Sequence, residues 1–324
     1  MEYRYLGKSG LQVSVLSFGS WLTFGNQVKD GGAEDMMKLA YDSGVNFFDN
    51  AEAYAAGESE RVMGELLQKL GWARDTYVLS SKVFWGGSLP NQKGLSRKHI
   101  MDACHAALKR LQVEYLDLFF CHRPDYNTPV EETVFAMNHL IQQGEILYWG
   151  TSEWPAERIM EAHLVARENN LIPPTMEQPQ YNLFVRDKVE LDYLSLYDRG
   201  LGTTIWSPLL SGLLTGKYND ETPEGTRFSL PNMAWLKDAI FQEGRLDKVR
   251  ALTALAGEIG ISMPHLALAW CIKNPNVSTM ILGASKLSQL EDNLKCLEAV
   301  PKLTSDVMEQ IEGIMGNKPI RQTF

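Results

Sequence analysis

Residues 47–54 read Phe47-Phe48-Asp49-Asn50-Ala51-Glu52-Ala53-Tyr54, an apolar run that stops abruptly at a carboxylate. This pattern is typical of a buried parallel strand that reaches the rim of a sheet. Asp49 is therefore expected at the carboxyl end of a strand, and Tyr54 in the loop before an amphipathic helix over 58–70. In α/β folds this rim carries the chemistry. Taken singly, however, Asp49 is better explained as a helix cap and Tyr54 as a half-buried aromatic side chain.

Two further predicted strands also end in ionisable side chains. Residues 77–82 end in Lys82, and residues 116–122 end in His122. Neighbouring strands lie about 4.8 Å apart. If the three strands pair in chain order, Lys82 lies within ion-pair reach of Asp49, and His122 lies one strand beyond. The four side chains would then converge on one pocket.

The predicted contact with Lys82 has consequences for both of its neighbours. A buried lysine needs a counter-ion, and Asp49 supplies one. A tyrosine close to a lysine is expected to have a pKa below its reference value of about 10, so Tyr54 would be a usable proton donor near neutral pH. We expect the rim to be wet, so that loss of Lys82 would leave Asp49 unpaired but hydrated.

The rest of the chain alternates strand and helix. Length alone allows two domains or one large barrel for these 324 residues. Residues 3–13 resemble a β-hairpin, which we expect to plug the bottom of a barrel. The predicted strands are 15–19, 47–49, 77–82, 116–122, 146–151, 175–178, 203–206 and 279–282, and the predicted helices are 58–70, 97–111, 130–143, 155–169 and 187–197. Without a linker or composition break, residues 1–324 are predicted to form one α/β domain, a (β/α)8 TIM barrel.

Composition excludes several classes of protein. The net charge of -9 argues against a nucleic-acid or anionic-membrane partner. There is no signal peptide and no long uncharged apolar run, so we expect a cytoplasmic protein without membrane insertion. The four cysteines lack CxxC spacing, which favours reduced thiols. The six histidines lack paired ligand spacing, so no metal is expected; His99, His139 and His163 are expected to be solvated on helices.

The motifs of the rim resemble those of the aldo-keto reductases, and within them the branch of voltage-gated potassium channel beta subunits of plant and bacterial type. The resemblance runs nearly end to end. It rests on residues 47–54 and on Lys82-Val83-Phe84-Trp85-Gly86-Gly87, Gly94-Leu95-Ser96-Arg97-Lys98-His99-Ile100, His122-Arg123-Pro124-Asp125, Tyr148-Trp149-Gly150-Thr151-Ser152, Trp206-Ser207-Pro208-Leu209 and Leu282-Gly283-Ala284-Ser285. It implies that Asp49, Tyr54, Lys82 and His122 form a catalytic tetrad, with tyrosine as the general acid.

Two positions distinguish this chain within that branch. Mammalian channel beta subunits carry Asn at the position of His122, whereas catalytic reductases and plant-like members keep His. They also carry Arg at the position of Glu153, where plant-like members have Glu. The His at position 122 favours an active enzyme, and the Glu at position 153 argues against a close animal channel partner.

The usual nucleotide-binding signatures are absent. No G-x-G-x-x-G follows the first strand, and residues 212–218 have one residue too few for a phosphate loop and Tyr218 in place of Ser or Thr. Residues 212–217 could hold a pyrophosphate through backbone amides, Lys217 and Arg227, although an ordinary solvated turn explains them equally well.

The resemblance implies NADP(H) as the cofactor. Ser152 and Gln178 match the family's carboxamide ligands, and Trp206 matches the aromatic on which the nicotinamide stacks. Ser285 and Lys286, before a helix amino terminus, match the site of the adenosine 2′-phosphate, although many reductases have Arg at the position of Gln289. The full predicted cofactor set is Gly19, Ser20, Trp21, Gln27, Asp49, Ser152, Gln178, Trp206, Ser207, Pro208, Leu209, Ser211, Lys217, Arg227, Gly283, Ser285, Lys286, Gln289, Asp292 and Asn293.

Four tryptophans lie at or just after predicted strand ends, namely Trp21, Trp85, Trp154 and Trp206. One or two of them are expected in the core, and the others are expected to make the rim apolar. The predicted substrate pocket consists of Trp21, Tyr54, Trp85 and His122.

The sequence thus predicts NADPH-dependent reduction of aldehydes or ketones to alcohols, with Tyr54 as general acid. The alternative is an NADPH-binding regulatory subunit of a potassium channel with slow or vestigial catalysis; a barrel without cofactor is a distant third. His122, and the lack of an amino-terminal inactivation segment, favour the enzyme. The resemblance also implies a homo-oligomer, with a tetramer suggested by the channel-like branch.

Overall fold

The first strands of the chain form a hairpin that precedes the main sheet. The computed structural model describes residues 1–21, 24, 32–223, 228 and 234–321. Strands β1 (Tyr3–Tyr5) and β2 (Gln12–Ser14) pair antiparallel. Gly7 in the connecting turn has a φ of +59°, and a Cβ there would lie 2.1 Å from the Gly200 carbonyl oxygen. A larger residue would therefore separate the hairpin from the barrel.

Eight further strands close into a parallel barrel, as predicted. They are β3 (Leu16–Gly19), β4 (Phe47–Asp49), β5 (Val78–Val83), β6 (Leu116–Cys121), β7 (Ile146–Ser152), β8 (Met176–Gln178), β9 (Gly202–Ile205) and β10 (Thr279–Leu282). The strands follow one another around the barrel in chain order, and β10 pairs with both β9 and β3. All eight carboxyl ends therefore point to the same rim.

The α-helices surround this barrel. They are α1 (Gly32–Asp42), α2 (Glu58–Leu70), α3 (Arg97–Leu111), α4 (Val130–Gln143), α5 (Ala156–Glu168), α6 (Leu194–Tyr197), α7 (Ala234–Ile240), α8 (Arg245–Glu258), α9 (Met263–Lys273), α10 (Leu287–Leu294) and α11 (Ser305–Met315). Short 3-10 helices span Tyr54–Gly57, Arg74–Thr76, Leu210–Thr215, Lys295–Glu298 and Val300–Lys302. A large apolar cluster between strands and helices forms the core.

A smaller apolar cluster closes the amino-terminal end of the barrel. Leu6 and Val13 of the hairpin pack there, and the strands contribute Phe47, Val78, Leu118, Phe120 and Met176. Every one of these side chains is at most 5% exposed. The predicted plug is thus confirmed.

Two predicted elements differ in detail. The helix predicted over 187–197 is a π-helix over Lys188–Asp192 followed by the single turn of α6. The strand predicted over 203–206 is Gly202–Ile205. Trp206 follows it and forms an isolated bridge to Gln180.

No single helix among the described residues is long and apolar enough to cross a membrane; α8 and α9 pass that test only together, and they are bent by 91° at their break. The same ranges contain no group of three His, Cys, Asp or Glu side chains arranged to hold a metal. All four cysteines are buried and unbridged.

Candidate active site

The centre of the rim is a buried ion pair between two neighbouring strands. Lys82 Nζ lies 2.6 Å from Asp49 Oδ2, so the ion pair predicted from the sequence is present. Asp49 pairs in register with Ser80, and Ser80 and Lys82 face the same side because alternate residues of a strand share a face. Ser80 Oγ accordingly donates to Asp49 Oδ1 at 2.8 Å.

This ion pair is dry, which corrects the expectation of a wet rim. Asp49 is 2% exposed and Lys82 is fully buried. Gln178 Nε2 also donates to Asp49 Oδ1 at 3.1 Å, and Lys82 Nζ donates to the Asn50 carbonyl at 2.8 Å. Burial alone would lower the pKa of Lys82, but Asp49 and Tyr54 raise it above its usual value. Asp49 and Tyr54 therefore favour the charged form of the lysine.

Tyr54 is held against this cation. Lys82 Nζ lies 3.1 Å from the Tyr54 hydroxyl and 4.8 Å from the centre of its ring. A tight turn in which Ala55 and Ala56 have φ of +49° and +53° begins directly after Tyr54. This left-handed backbone returns the chain to α2 within four residues and keeps the phenol close to β5.

The expected fall in the pKa of Tyr54 is wrong. Removal of water around the phenol raises its pKa, and this exceeds the opposite effect of Lys82. The error came from weighing the nearby charge without the burial that accompanies it. The phenol is therefore fully protonated at neutral pH, which is the form required of an acid, and the adjacent ammonium group would stabilise the phenolate left after proton transfer.

His122 follows the end of β6 and faces Tyr54. Their ring centres are 5.8 Å apart and nearly perpendicular. Burial, followed by the charges of Lys82 and Arg123, holds the pKa of His122 well below its usual value. The imidazole is therefore neutral. Within the described residues its Nδ1 is buried without a hydrogen-bond partner, which is a position that a bound molecule could satisfy.

Aromatic side chains form one wall of the site. Trp85 packs edge-on against His122 at 5.0 Å, and Trp21 lies 6.5 Å from Tyr54. Both tryptophans are partly exposed, at 37% and 46%. Trp154, in contrast, is 1% exposed and belongs to the core, in agreement with the expectation that one or two of the four would not line the pocket.

Arg123 also reaches this wall, although the sequence analysis assigned it no role. Its guanidinium lies 5.2 Å from the Trp85 ring. Its Nη1 donates to the His122 carbonyl at 2.5 Å and approaches Ser152 Oγ at 3.4 Å. Its position directly after His122, at the end of a predicted strand, could have indicated that Arg123 lies at the rim.

Trp206 is fixed by a second residue that the sequence analysis did not place in the site. Its indole Nε1 donates to Glu153 Oε1 at 3.0 Å. The same oxygen accepts from the Gln180 backbone N–H at 2.6 Å, and Glu153 Oε2 pairs with Lys188 at 2.6 Å. Glu153 adopts a φ of +60°, which is uncommon outside glycine. It thus ties together the loops after β7, β8 and β9.

His99 is buried rather than solvated, which corrects another expectation. Its Nδ1 contacts the Gly94 carbonyl at 2.8 Å, and its Nε2 lies 3.5 Å from Glu52 Oε2. Glu52 Oε1 accepts from the Phe84 backbone N–H at 2.7 Å. Glu52 and His99 together anchor the loop that carries Trp85. His99 reaches Glu52 from the first turn of α3. His139 and His163 are half-buried.

The predicted carboxamide ligands lie beside the ion pair. Ser152 Oγ donates to the Gln178 backbone carbonyl at 2.9 Å. Ser20 follows β3, the strand next to that of Asp49. Its Oγ donates to the Asp49 carbonyl at 3.0 Å. Gly19 precedes it at the end of β3, and a Cβ there would lie 2.6 Å from the Ile281 side chain. These residues therefore surround Asp49.

The loop after β9 has an irregular backbone. Ser207 and Ser211 have φ of +54° each, and Ser211 N–H donates to Ser207 Oγ at 3.2 Å. Pro208 is buried and Leu209 half-buried, whereas Lys217 is exposed. Two predicted cofactor residues, Gln27 and Arg227, lie outside the described residues.

The loop after β10 presents two donors to one acceptor. The backbone N–H and the Oγ of Ser285 both donate to Gln289 Oε1, at 3.0 and 3.1 Å. Gly283, Lys286 and Asp292 are exposed nearby, and Asn293 is buried on α10. Donors that converge on one oxygen at a helix amino terminus are suited to an oxyanion, and here the Gln289 amide occupies that position.

The residues present fit a nicotinamide dinucleotide. One end of such a cofactor would meet the half-buried Trp206 ring, the Ser152 and Gln178 side chains and the unpaired His122 nitrogen. The other end would meet the converging donors of Ser285. Because β9 pairs with β10, a cofactor that extends along the rim from Trp206 to Ser285 needs to cross only the loop after β9. Trp206 and Ser152 would hold the ring, and Ser285 with Lys286 the distal phosphate.

Comparison with known proteins agrees with this geometry. The profile of the aldo/keto reductase family matches residues 15–315. A protein of Arabidopsis thaliana described as a probable voltage-gated potassium channel subunit beta is 50% identical over 323 residues, which cover 99% of this chain and 98% of the relative. A protein of Oryza sativa subsp. japonica with the same description is 51% identical over 323 residues, with the same coverage. Since the profile covers nearly the whole barrel and both relatives match from end to end, the chain belongs to the aldo/keto reductase family.

Proposed function

We propose that the protein reduces aldehydes or ketones to alcohols with NADPH, with Tyr54 as the general acid. The observation that carries this proposal is that Lys82 Nζ contacts both Asp49 and the Tyr54 hydroxyl, at 2.6 and 3.1 Å. A phenol held between a buried cation and an open pocket is a proton donor whose conjugate base is already stabilised. A reduced nicotinamide bound beside Trp206 would supply the hydride.

Each residue of the site then has one task. Tyr54 donates its hydroxyl proton to the carbonyl oxygen as negative charge develops there. Lys82 stabilises the phenolate, and Asp49 keeps Lys82 in place. His122 is neutral because its pKa is held well below the usual value, so it can donate one hydrogen bond to the same oxygen without competing as an acid. Trp21 and Trp85 keep water from the carbonyl.

Single-turnover oxidation of bound NADPH by an aldehyde tests the proposal. Tyr54→Phe should slow this step by roughly 10²- to 10⁴-fold, the usual contribution of general acid catalysis, with NADPH affinity unchanged. His122→Asn keeps a hydrogen-bond donor and should lose about ten- to a hundredfold. If wild type reacts no faster than Tyr54→Phe while it still binds NADPH, the proposed reductase activity is wrong.

Cofactor preference is a separate part of the proposal. Because Ser285 and Lys286 suit a 2′-phosphate, NADPH should bind at least severalfold more tightly than NADH in a fluorescence titration. Gln289 competes for the Ser285 donors, so Gln289→Arg should widen the preference. Equal dissociation constants for the two nucleotides in wild type would contradict the assignment of this phosphate site.

A second candidate function is that of an NADPH-binding regulatory subunit of a potassium channel. It is favoured by the descriptions of two relatives that are 50% and 51% identical. A homo-oligomer, with four copies matching a fourfold channel, would belong to that function. Co-purification with a channel from the same genome would support the regulatory function, provided that Tyr54→Phe does not affect it. Fast single-turnover reduction of an aldehyde would favour the enzyme.

A further inference from the structure

Arg123 carries a charge that no ion pair between described residues uses. It is half-buried between Trp85 and Ser152, and in the described ranges its only hydrogen bonds are those of Nη1. Neither Nε nor Nη2 has a partner there, and no carboxylate of a described residue lies within ion-pair distance. Neither atom is among the fully buried nitrogens of the described residues that lack a partner, so water or a bound anion can reach both.

The position of Arg123 indicates which molecule could pair with it. It follows β6, whereas the loops suited to the cofactor's phosphates follow β9 and β10, on the far side of the barrel. Its guanidinium lies 5.2 Å from the ring of Trp85, which forms a wall of the pocket in which the carbonyl group would lie. A cation on this side of the rim is therefore placed to meet the substrate rather than the phosphates of the dinucleotide.

We propose that Arg123 is a specificity-determining residue that binds an anionic group, a carboxylate in the first instance, on the carbonyl substrate. The inference rests on the proposed reductase function and names its substrate class. The guanidinium would bind the carboxylate through Nε and Nη2, while stacking on Trp85 fixes its plane. The substrate would then span from Tyr54 and His122, at its carbonyl end, to Arg123 at its acidic end.

The test uses pairs of aldehydes that differ in charge but hardly in size. These are 3- and 4-carboxybenzaldehyde and the corresponding formylbenzamides. In wild type, kcat/KM for at least one acid should exceed that of its amide by about tenfold, the usual effect of a charge-assisted contact. Arg123→Gln should bring the ratio close to one, mainly through the KM of the acid, and Arg123→Lys should restore part of it.

Lys93→Gln provides the matched control. Lys93 is an exposed cation on the loop after β5, where it forms an isolated bridge with Trp85. Its removal therefore changes the net charge near the mouth without changing the pocket. The ratio of acid to amide should not change. If Arg123 only tunes Tyr54 and His122, Arg123→Gln will slow both aldehydes equally and leave the ratio intact, which overturns the proposal.

Binding without turnover separates this inference from the reductase proposal. Calorimetry should detect 4-(hydroxymethyl)benzoate, or its 3-isomer, in the NADPH-loaded protein, with about tenfold weaker binding in Arg123→Gln. If this Arg123-dependent binding occurs but no aldehyde is reduced, the anion site stands and the reductase proposal fails. If wild type reduces both acids no better than their amides, the reductase proposal stands and the anion site is wrong.

Discussion

Lys82 is the residue at which stability and the proposed catalysis meet. Because Asp49 is buried, Lys82→Met leaves an uncompensated carboxylate, and breaking a buried pair in this way costs about 3–5 kcal/mol. The hydrogen bonds of Ser80 and Gln178 to Asp49 reduce this cost. We therefore expect Lys82→Met to lower the free energy of unfolding measurably and to abolish aldehyde reduction.

The double variant Lys82→Met, Asp49→Asn provides the control for that expectation. It removes the lone charge, so urea denaturation should show most of the lost stability regained while activity stays absent. Recovery of activity together with stability would mean that the pair only supports the fold.

Glu177 is a buried acid outside the catalytic centre, and it should make stability depend on pH. Burial raises its pKa from 4.5 to about 8. Between these values the unfolded chain loses the proton that the folded chain keeps, so the unfolded state binds fewer protons. Stability should then fall as pH rises from 4.5 to 8, by up to about 1.4 kcal/mol per pH unit for one proton.

Glu177→Gln should remove this contribution to the pH dependence of stability. The neutral amide can replace the protonated acid beside Thr151, Trp154 and Tyr193. The free energy of unfolding, measured at intervals from pH 5 to 8, should decline less steeply in the variant than in wild type. Parallel profiles would show that the carboxyl ionises in the folded protein at its ordinary pKa.

At the scale of elements, Glu153 links three βα loops through one carboxylate. Glu153→Ala removes the acceptor of the Trp206 indole N–H and the partner of Lys188. We expect NADPH affinity to fall about tenfold, in line with a hydrogen bond to a charged group. Glu157→Gln, an exposed change at the start of α5, should leave the affinity unchanged.

A double-mutant cycle with Trp206→Phe assigns that loss to its cause. Phenylalanine keeps a stacking face but has no N–H, so Glu153→Ala should cost much less affinity in this background. An equal loss with and without the indole N–H would mean that Glu153 acts on the loops in general and not through Trp206.

At the scale of the whole molecule, the two ends of the barrel are separate. Leu6 of the hairpin is fully buried in the cluster that closes the amino-terminal end. Leu6→Ala should cost about 2–5 kcal/mol of stability, as expected for a large-to-small change in a core. NADPH affinity should be unaffected, because the proposed site is at the opposite rim.

Leu11→Ala is the matched control for the hairpin. Leu11 is only half-buried against the same cluster, so thermal unfolding should show a smaller loss of stability. A similar loss in both variants, or weaker NADPH binding in Leu6→Ala, would indicate that the hairpin supports the barrel as a whole rather than closing one end.

The sequence alone determined the barrel, its plug and the meeting of Asp49, Lys82, Tyr54 and His122. These depend on local apolar periodicity and on the order of parallel strands, because consecutive strands that pair must bring their carboxyl ends to one rim. The ion pair followed from strand spacing without knowledge of any side-chain conformation.

Only the tertiary structure decided how much water reaches these groups and which distant loops they touch. The pKa of Tyr54, the dryness of Asp49 and the burial of His99 depend on the total packing around each side chain, which a charge pattern does not contain. Glu153 meets Trp206 across 53 positions of the chain, and Arg123 stacks on Trp85 from another strand. Such contacts arise from barrel closure and loop conformation, and neither can be predicted from the local sequence.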